Sequence, residues 1–322
     1  MFGSKKVLLS LGAAAAALAM AASGAGAQDV PTVSGEVDGV KYTCKFEQAP
    51  KRAVSLSHFT TEMMLALGLE PSMVGTAFLE EPIYPPVAEA YKKVPVLSDT
   101  WPSMEVFMAT SPDFATGWAT AFSKKGLEAQ ALLDRSVKIF IPRSTVDFDA
   151  NLDTLFDDFM TFGRIFRVED RAKAYVEKQK EQLAAIQKRI AGKPAKKIFI
   201  YDSGSDDAFT VYEGFTTNLF RLIGAENILA GKGVKKTWGK CSWEEVVAGN
   251  PDVIVVIGYS KSVRFQETDA PTKIEWLKNF APLKDVTAIK NNAFAQVSLA
   301  DICPGIRNID ALERLSKAVY GD

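Results

Sequence analysis

The 322-residue chain contains a single histidine, His58, and only three cysteines, Cys44, Cys241 and Cys303. One histidine excludes zinc sites built within one chain from three histidines, or from two histidines and a carboxylate. It also leaves His58 as the sole imidazole for any Ser-His-Asp arrangement, and no Gly-x-Ser-x-Gly elbow is present. An excess of one charge is missing too. With 38 basic and 39 acidic side chains the net charge is −1, which provides no basic surplus to neutralise a phosphate backbone or to coat an anionic membrane. Gly204-Ser205-Asp206-Asp207 reads as a polar turn. The stretch 233–241 fails as a phosphate loop, because the glycine spacing is one residue too long and Cys241 stands where Ser or Thr is required.

A long apolar run occurs only at the start of the chain. Lys5 and Lys6 precede an apolar stretch at 7–20, and Ala25-Gly26-Ala27 offers a small-x-small cleavage pattern before Gln28. These features predict an export signal at 1–27, removed to leave a periplasmic protein, and the run is too short for a membrane anchor. No cysteine stands at the cleavage point, which argues against a lipoprotein. Losing the two lysines moves the net charge from −1 to −3. The odd cysteine count leaves at least one thiol without an intramolecular partner. Cys241 and Cys303 are the candidate disulfide pair, with free thiols as the alternative.

Beyond the leader, alternating residues around Asp38-Gly39 predict a small hairpin over 33–46. Strand, loop and helix units follow, with strands expected near 54–57, 73–78, 114–118 and 138–141. From 148 to 191 there is no strand signal. The later part of that stretch, from about Val168, reads as one long helix whose apolar positions Ala172, Tyr175, Val176, Leu183, Ile186 and Ile190 recur at helical spacing. Gly192 and Pro194 stop it. Strands are expected again at 197–201, 208–212, 253–257 and 294–297, before a closing helix over 306–319. The expected organisation is α/β, with two Rossmann-like lobes of mainly parallel sheet at 28–145 and 193–322, a helical connector at 146–192, and a ligand cleft between the lobes.

The two halves echo each other. Met104-Glu105-Val106-Phe107-Met108-Ala109-Thr110-Ser111-Pro112-Asp113 leads into the strand at Phe114, and Trp243-Glu244-Glu245-Val246-Val247-Ala248-Gly249-Asn250-Pro251-Asp252 leads into the strand at Val253. A glutamate in a first helical turn complements the helix dipole, which is sufficient reason for either one alone. The matched seven-residue offset from Glu105 and Glu244 to proline asks for more than a local stability device.

The order of the hairpin, Ala49-Pro50-Lys51-Arg52-Ala53-Val54-Ser55-Leu56, Thr61-Glu62-Met63-Met64-Leu65-Ala66-Leu67-Gly68, the two Glu-x6-Pro-Asp segments, the long helix and Pro304-Gly305-Ile306-Arg307-Asn308 resembles the class III substrate-binding proteins of ABC importers for ferric siderophores, haem and vitamin B12. The resemblance covers nearly all of the chain beyond the leader. It implies a monomeric carrier rather than an enzyme, with two lobes whose hinging is limited by the long helix. It further implies that one glutamate per lobe meets arginines of an ABC permease dimer served by a cytoplasmic ATPase. By position these are Glu105 and Glu244, with Glu245 the fallback.

Ligands of open α/β sheets bind beyond the carboxyl ends of the strands. In the first lobe that selects His58, Trp101, Trp118 and Arg143, and in the second Tyr201, Phe209, Tyr212, Trp238, Tyr259 and Arg307. Aromatic rings suit a flat or aryl-bearing ligand, and the two arginines suit carboxylates or catecholates. Ordinary core packing competes as the explanation for each aromatic, most of all for Tyr212. His58 is placed either to ligate an iron or cobalt centre or to open a helix by bonding the backbone. The expected cargo is a metal chelate, a ferric siderophore first, with a corrinoid, haem or another cofactor precursor as alternatives. No cofactor is expected. A ligand-sensing module is the other role this layout allows.

Overall fold

A computed structural model describes residues 30–260 and 269–321, and the leader read at 1–27 lies outside them. The hairpin pairs β1 (Thr32–Val37) with β2 (Val40–Lys45) in antiparallel register around Asp38 and Gly39, both at positive φ. The first lobe holds β3 (Ala53–Ser55), β4 (Met73–Ala77), β5 (Val96–Ser98), β6 (Phe114–Thr116) and β7 (Lys138–Phe140). These form a wholly parallel sheet in the order β5-β4-β3-β6-β7. The central strands β3 and β6 are buried at every residue, as a strand covered on both faces must be.

The second lobe contains β8 (Lys196–Ser203), β9 (Ala208–Val211), β10 (Ala225–Asn227), β11 (Trp238–Cys241), β12 (Val253–Gly258) and β13 (Phe294–Ser298). Its order is β11-β9-β8-β12-β13, with β10 running parallel to the first residues of β8 and β9 antiparallel to the last. Alternation along β8 divides its side chains between two cores. Ile198 and Ile200 face the core shared with the first lobe, while Phe199 and Tyr201 enter a second core with Trp243, Val256 and Leu277.

Three strands escape the sequence pattern. β5 follows Pro95 and is nowhere fully buried, β10 is three residues long, and β11 carries Gly239 and Lys240 on a sheet edge. Edge strands need no unbroken apolar run, so they leave little trace in composition.

Helix Leu152–Phe166 turns at Arg167, which adopts a left-handed φ of 59° and donates from Nη2 to the Phe46 carbonyl at 2.7 Å. The 22-residue helix Glu169–Ile190 then runs about 33 Å at 1.5 Å per residue. Acids at its start, Glu169 and Asp170, and bases at its end, Lys188 and Arg189, match the helix dipole. It packs on helix Leu152–Phe166 from one side and on the terminal helix Asn308–Tyr320 from the other, where Arg189 donates to both oxygens of Glu313 at 2.7 and 2.9 Å. It thereby joins the lobes.

The sequence echo is a structural repeat. Asp113 receives the backbone N–H groups of Lys51 and Arg52 at 2.9 and 3.0 Å and donates its own N–H to the Arg52 carbonyl. Asp252 receives Lys197 N–H at 2.8 Å and donates to the Lys197 carbonyl. Each Pro-Asp turn thus locks the strand it opens to the start of the neighbouring strand.

The Cys241–Cys303 bridge is corrected: no disulfide joins them. Cys241 is buried on the β11 edge opposite Ala208, whereas Cys303 follows the short helix Leu299–Ile302 that leaves β13 at the opposite edge of the same sheet.

Candidate ligand-binding cleft

The carboxyl ends of the two sheets converge. Glu81, beyond β4, accepts the backbone N–H of Leu299, beyond β13, at 3.2 Å. On the first lobe a cavity of about 400 Å³ is lined by Phe78, Leu79, Glu80, Asp99, Trp101 and Lys125, among others. Phe78 takes a positive φ of 59° directly after β4, a backbone form unusual for a bulky residue. Its ring stacks on Trp101 at 4.6 Å and 18°. The Trp101 indole is fixed by donation to the Leu56 carbonyl at 3.1 Å. Trp118 donates to buried Glu80 at 3.1 Å and packs edge-on against Phe59.

In the second lobe, Tyr259 follows β12 and donates to Asp202 Oδ2 at 2.5 Å. Lys273 lies over the Tyr259 ring at 4.9 Å and donates to the carbonyls of Asp202 and Ile257, both at 2.6 Å. Burial lowers the Lys273 pKa, and burial together with Asp202 raises that of Tyr259. A second cavity, of about 320 Å³, opens beside Tyr259, Gln296 and Ser298.

Beneath these walls a buried polar cluster ties lobe to lobe. Arg307 crosses from the second lobe and donates to Glu62 twice, Nε to Oε2 at 3.0 Å and Nη2 to Oε1 at 2.5 Å, and to the Pro82 carbonyl at 2.6 Å. Its guanidinium also lies over the Tyr84 ring at 5.3 Å, and Tyr84 donates its hydroxyl back to Asp310 on the terminal helix. The Glu81 N–H donates to His58 Nδ1 at 3.3 Å, and His58 Nε2 lies 3.0 Å from Glu62 Oε1 and 2.9 Å from Arg307 Nη2. Burial opposes the charge on Glu62, but hydrogen bonds from His58 and Arg307 outweigh it and hold the carboxyl at about 2. Burial raises the Glu81 pKa, against the pull of Arg307.

The residues selected from sequence therefore separate into groups. Trp101 lines the first-lobe cavity, Trp118 braces Glu80 in its wall, and Tyr259 borders the second cavity. His58, 0 % exposed, and Arg307, 8 % exposed, belong to the interlobe cluster. Arg143 is exposed and ion-paired with Asp147 at 2.6 Å. Tyr201 and Tyr212 are buried, with hydroxyls donated to the carbonyls of Gly204 and Lys240. Phe209 and Trp238 stack on each other at 5.9 Å across β9 and β11. Sequence reasoning passed over Phe78, Glu80 and Glu62. The Phe78-Leu79-Glu80-Glu81 run at a strand end was the available signal for the first two, but Glu62 looked like a routine helix residue. Among the described residues, no group of three or more His, Cys, Asp or Glu side chains is arranged to hold a metal ion.

Away from the cleft, the repeated glutamates occupy matched places. Ser103 caps helix Met104–Ala109 by accepting Val106 N–H at 3.2 Å, and Ser242 caps helix Trp243–Gly249 by accepting Glu245 N–H at 3.3 Å. Glu105 and Glu244 are both the second helical residue and both exposed. Glu245 closes its capping box on Ser242 N–H and pairs with Lys232, so it is already engaged.

Two α/β lobes, a single joining helix and a cleft between carboxyl strand ends define a solute-binding protein of the class III type. Residues 54–297 match the sequence profile of the periplasmic binding protein family, and the chain belongs to that family of non-catalytic carriers. A periplasmic binding protein from Veillonella parvula superposes with a TM-score of 0.88 at 48% identity, covering 91% of this chain and 99% of that one. The vitamin B12-binding protein of Salmonella typhimurium is 25% identical over 264 residues, 78% of this chain and 92% of its own length. The ABC transporter substrate-binding lipoprotein YvrC of Bacillus subtilis is 25% identical over 282 residues, covering 86% and 82% respectively. The chain is thus the periplasmic binding component of a class III ABC import system.

Proposed function

We propose that this carrier takes up a corrinoid of the vitamin B12 class in the periplasm, after cleavage behind Ala27, and presents it to an ABC permease. The observation that carries this reading is the state of the two arginines. Arg307 is committed to Glu62 and Arg143 to Asp147, while Glu80 and Asp99 line the aromatic cavity. Catecholates and haem propionates call for guanidinium partners, but Arg307 is buried on Glu62 and no arginine lines either of the two cavities described. A neutral macrocycle fringed with amides supplies N–H donors to carboxylates and a broad apolar face to Trp101. A corrinoid cobalt also brings its own axial ligands and so makes no demand on the buried His58. The preference for a ferric siderophore rested on an aromatic cleft with two arginines, and neither arginine lines the two cavities described. The vitamin B12-binding relatives support the same choice.

Titration of the purified protein with cyanocobalamin, hemin and a ferric hydroxamate, followed by calorimetry, tests it. Saturable one-to-one binding of cyanocobalamin is expected. Tight binding of hemin or the ferric chelate with none of cyanocobalamin would overturn the reading. Docking is assigned to Glu105 and Glu244, whose matched, exposed carboxylates suit arginines held at a fixed spacing on a permease dimer.

A further inference from the structure

The two glutamate-bearing helices differ in how they connect to the cleft. Trp101 stacks on Phe78 in the cavity wall and is separated from Glu105 by Pro102, the capping Ser103 and Met104. Pro102 is buried and its φ is fixed by its ring, so the link between the indole and the helix cap is short and stiff. The position corresponding to Trp101, four residues before Glu244, is Lys240, exposed on the edge strand β11, and the aromatic residue adjoining Glu244 is Trp243, whose indole is buried away from the cavities described above. It donates to the Ser205 carbonyl at 2.8 Å and packs among Tyr201, Trp276 and Phe280 in the second core.

From this asymmetry we infer that Glu105 reports ligand occupancy to the permease through Trp101 and Pro102, whereas Glu244 is an anchor indifferent to occupancy. A ligand packed on Trp101 biases the position of the ring, and the stiff Pro102-Ser103 segment passes that bias to the first turn of helix Met104–Ala109. Among the described residues no comparable path reaches Glu244, because exposed Lys240 stands where Trp101 does in the first lobe and Trp243 is packed among core aromatics. Trp101 and Pro102 are positioning residues in this scheme. The inference rests on the cyanocobalamin and docking assignments proposed above.

The test measures the affinity of the full-length mature protein for its permease–ATPase complex in nanodiscs, empty and with saturating cyanocobalamin. In the wild type, loading changes that affinity by at least about five-fold, the lower end of ordinary coupling between sites. Glu244→Ala weakens empty and loaded docking by the same factor and keeps the ratio. Glu105→Ala brings the ratio close to one. Pro102→Gly leaves cyanocobalamin affinity and empty docking within two-fold of wild type, yet also brings the ratio close to one, a pattern that loss of fold would not give. Trp101→Phe, read at saturating ligand, lowers the ratio as well. An unchanged ratio in Pro102→Gly, or equal losses from Glu105→Ala in both states, would overturn the inference. Absence of cyanocobalamin binding overturns the ligand reading, and undiminished docking of the Glu105→Ala, Glu244→Ala double variant overturns the docking reading. Either result takes this inference with it.

Discussion

Arg307 and Glu62 illustrate how little a residue's type says about its task. Their side chains are 10 % and 2 % exposed, so neither charge is solvated by water and each depends on the other. Arg307→Met should leave Glu62 buried without its partner and cost about 3–5 kcal/mol of stability, measurable by urea denaturation. The acid limb of stability follows from the same carboxyl. Because the folded pKa of Glu62 is depressed from 4.5 to about 2, its contribution is complete above pH 4.5 and is lost as pH falls toward 2. Glu81 and Asp158, whose pKa values burial raises, contribute with the opposite sign at higher pH. Denaturation midpoints in Glu62→Gln should therefore fall less between pH 4.5 and 2 than those of the wild type. An identical fall in both proteins would count against the assignment. His58 was legible as a residue between a strand and a helix, but sequence could not choose between a ligand contact and a backbone bond. Its burial against Glu62 and the Glu81 N–H decides that its contacts are within the protein.

At the scale of elements, helix packing is tight where the connector leaves its predecessor. A Cβ placed on Gly163 would lie 2.7 Å from the Ala172 Cβ, inside any real contact. Gly163→Ala should push helix Leu152–Phe166 from helix Glu169–Ile190 and cost about 1–3 kcal/mol. A thermal midpoint equal to wild type would show that the helices yield freely. The long helix was legible because its apolar positions recur at helical spacing from Ala172 to Ile190, and so were the central strands with their apolar runs. β5, β10 and β11 were not, since their pairing partners come from the tertiary fold and not from their own residues.

For the whole molecule, the two lobes act as one carrier only if both ends of a pseudosymmetric surface engage the same partner. The Glu105→Ala, Glu244→Ala double variant should abolish cyanocobalamin-stimulated ATPase activity of the reconstituted transporter while leaving cyanocobalamin affinity within about two-fold. Retention of full stimulation would place the docking surface elsewhere. The same lobes are held to each other by Arg307, by Tyr84 with Asp310 and by Glu81 with the Leu299 backbone. Interlobe motion therefore has to preserve or break a buried polar cluster.

The sequence by itself determined the family, the two-lobe α/β plan, the connecting helix and the glutamate repeat, because periodicity, turn residues and fixed offsets are local properties carried along the chain. Only the tertiary structure decided which aromatics face the cleft and which fill the cores, that Cys241 and Cys303 stand apart, and that both candidate arginines are neutralised by carboxylates. Apart from the local, exposed Arg143–Asp147 pair, those outcomes depend on which distant residue lies within a few ångströms, and burial makes Arg307 and Glu62 depend on each other. The ligand preference moved from an anionic chelate to an amide-fringed macrocycle for that reason.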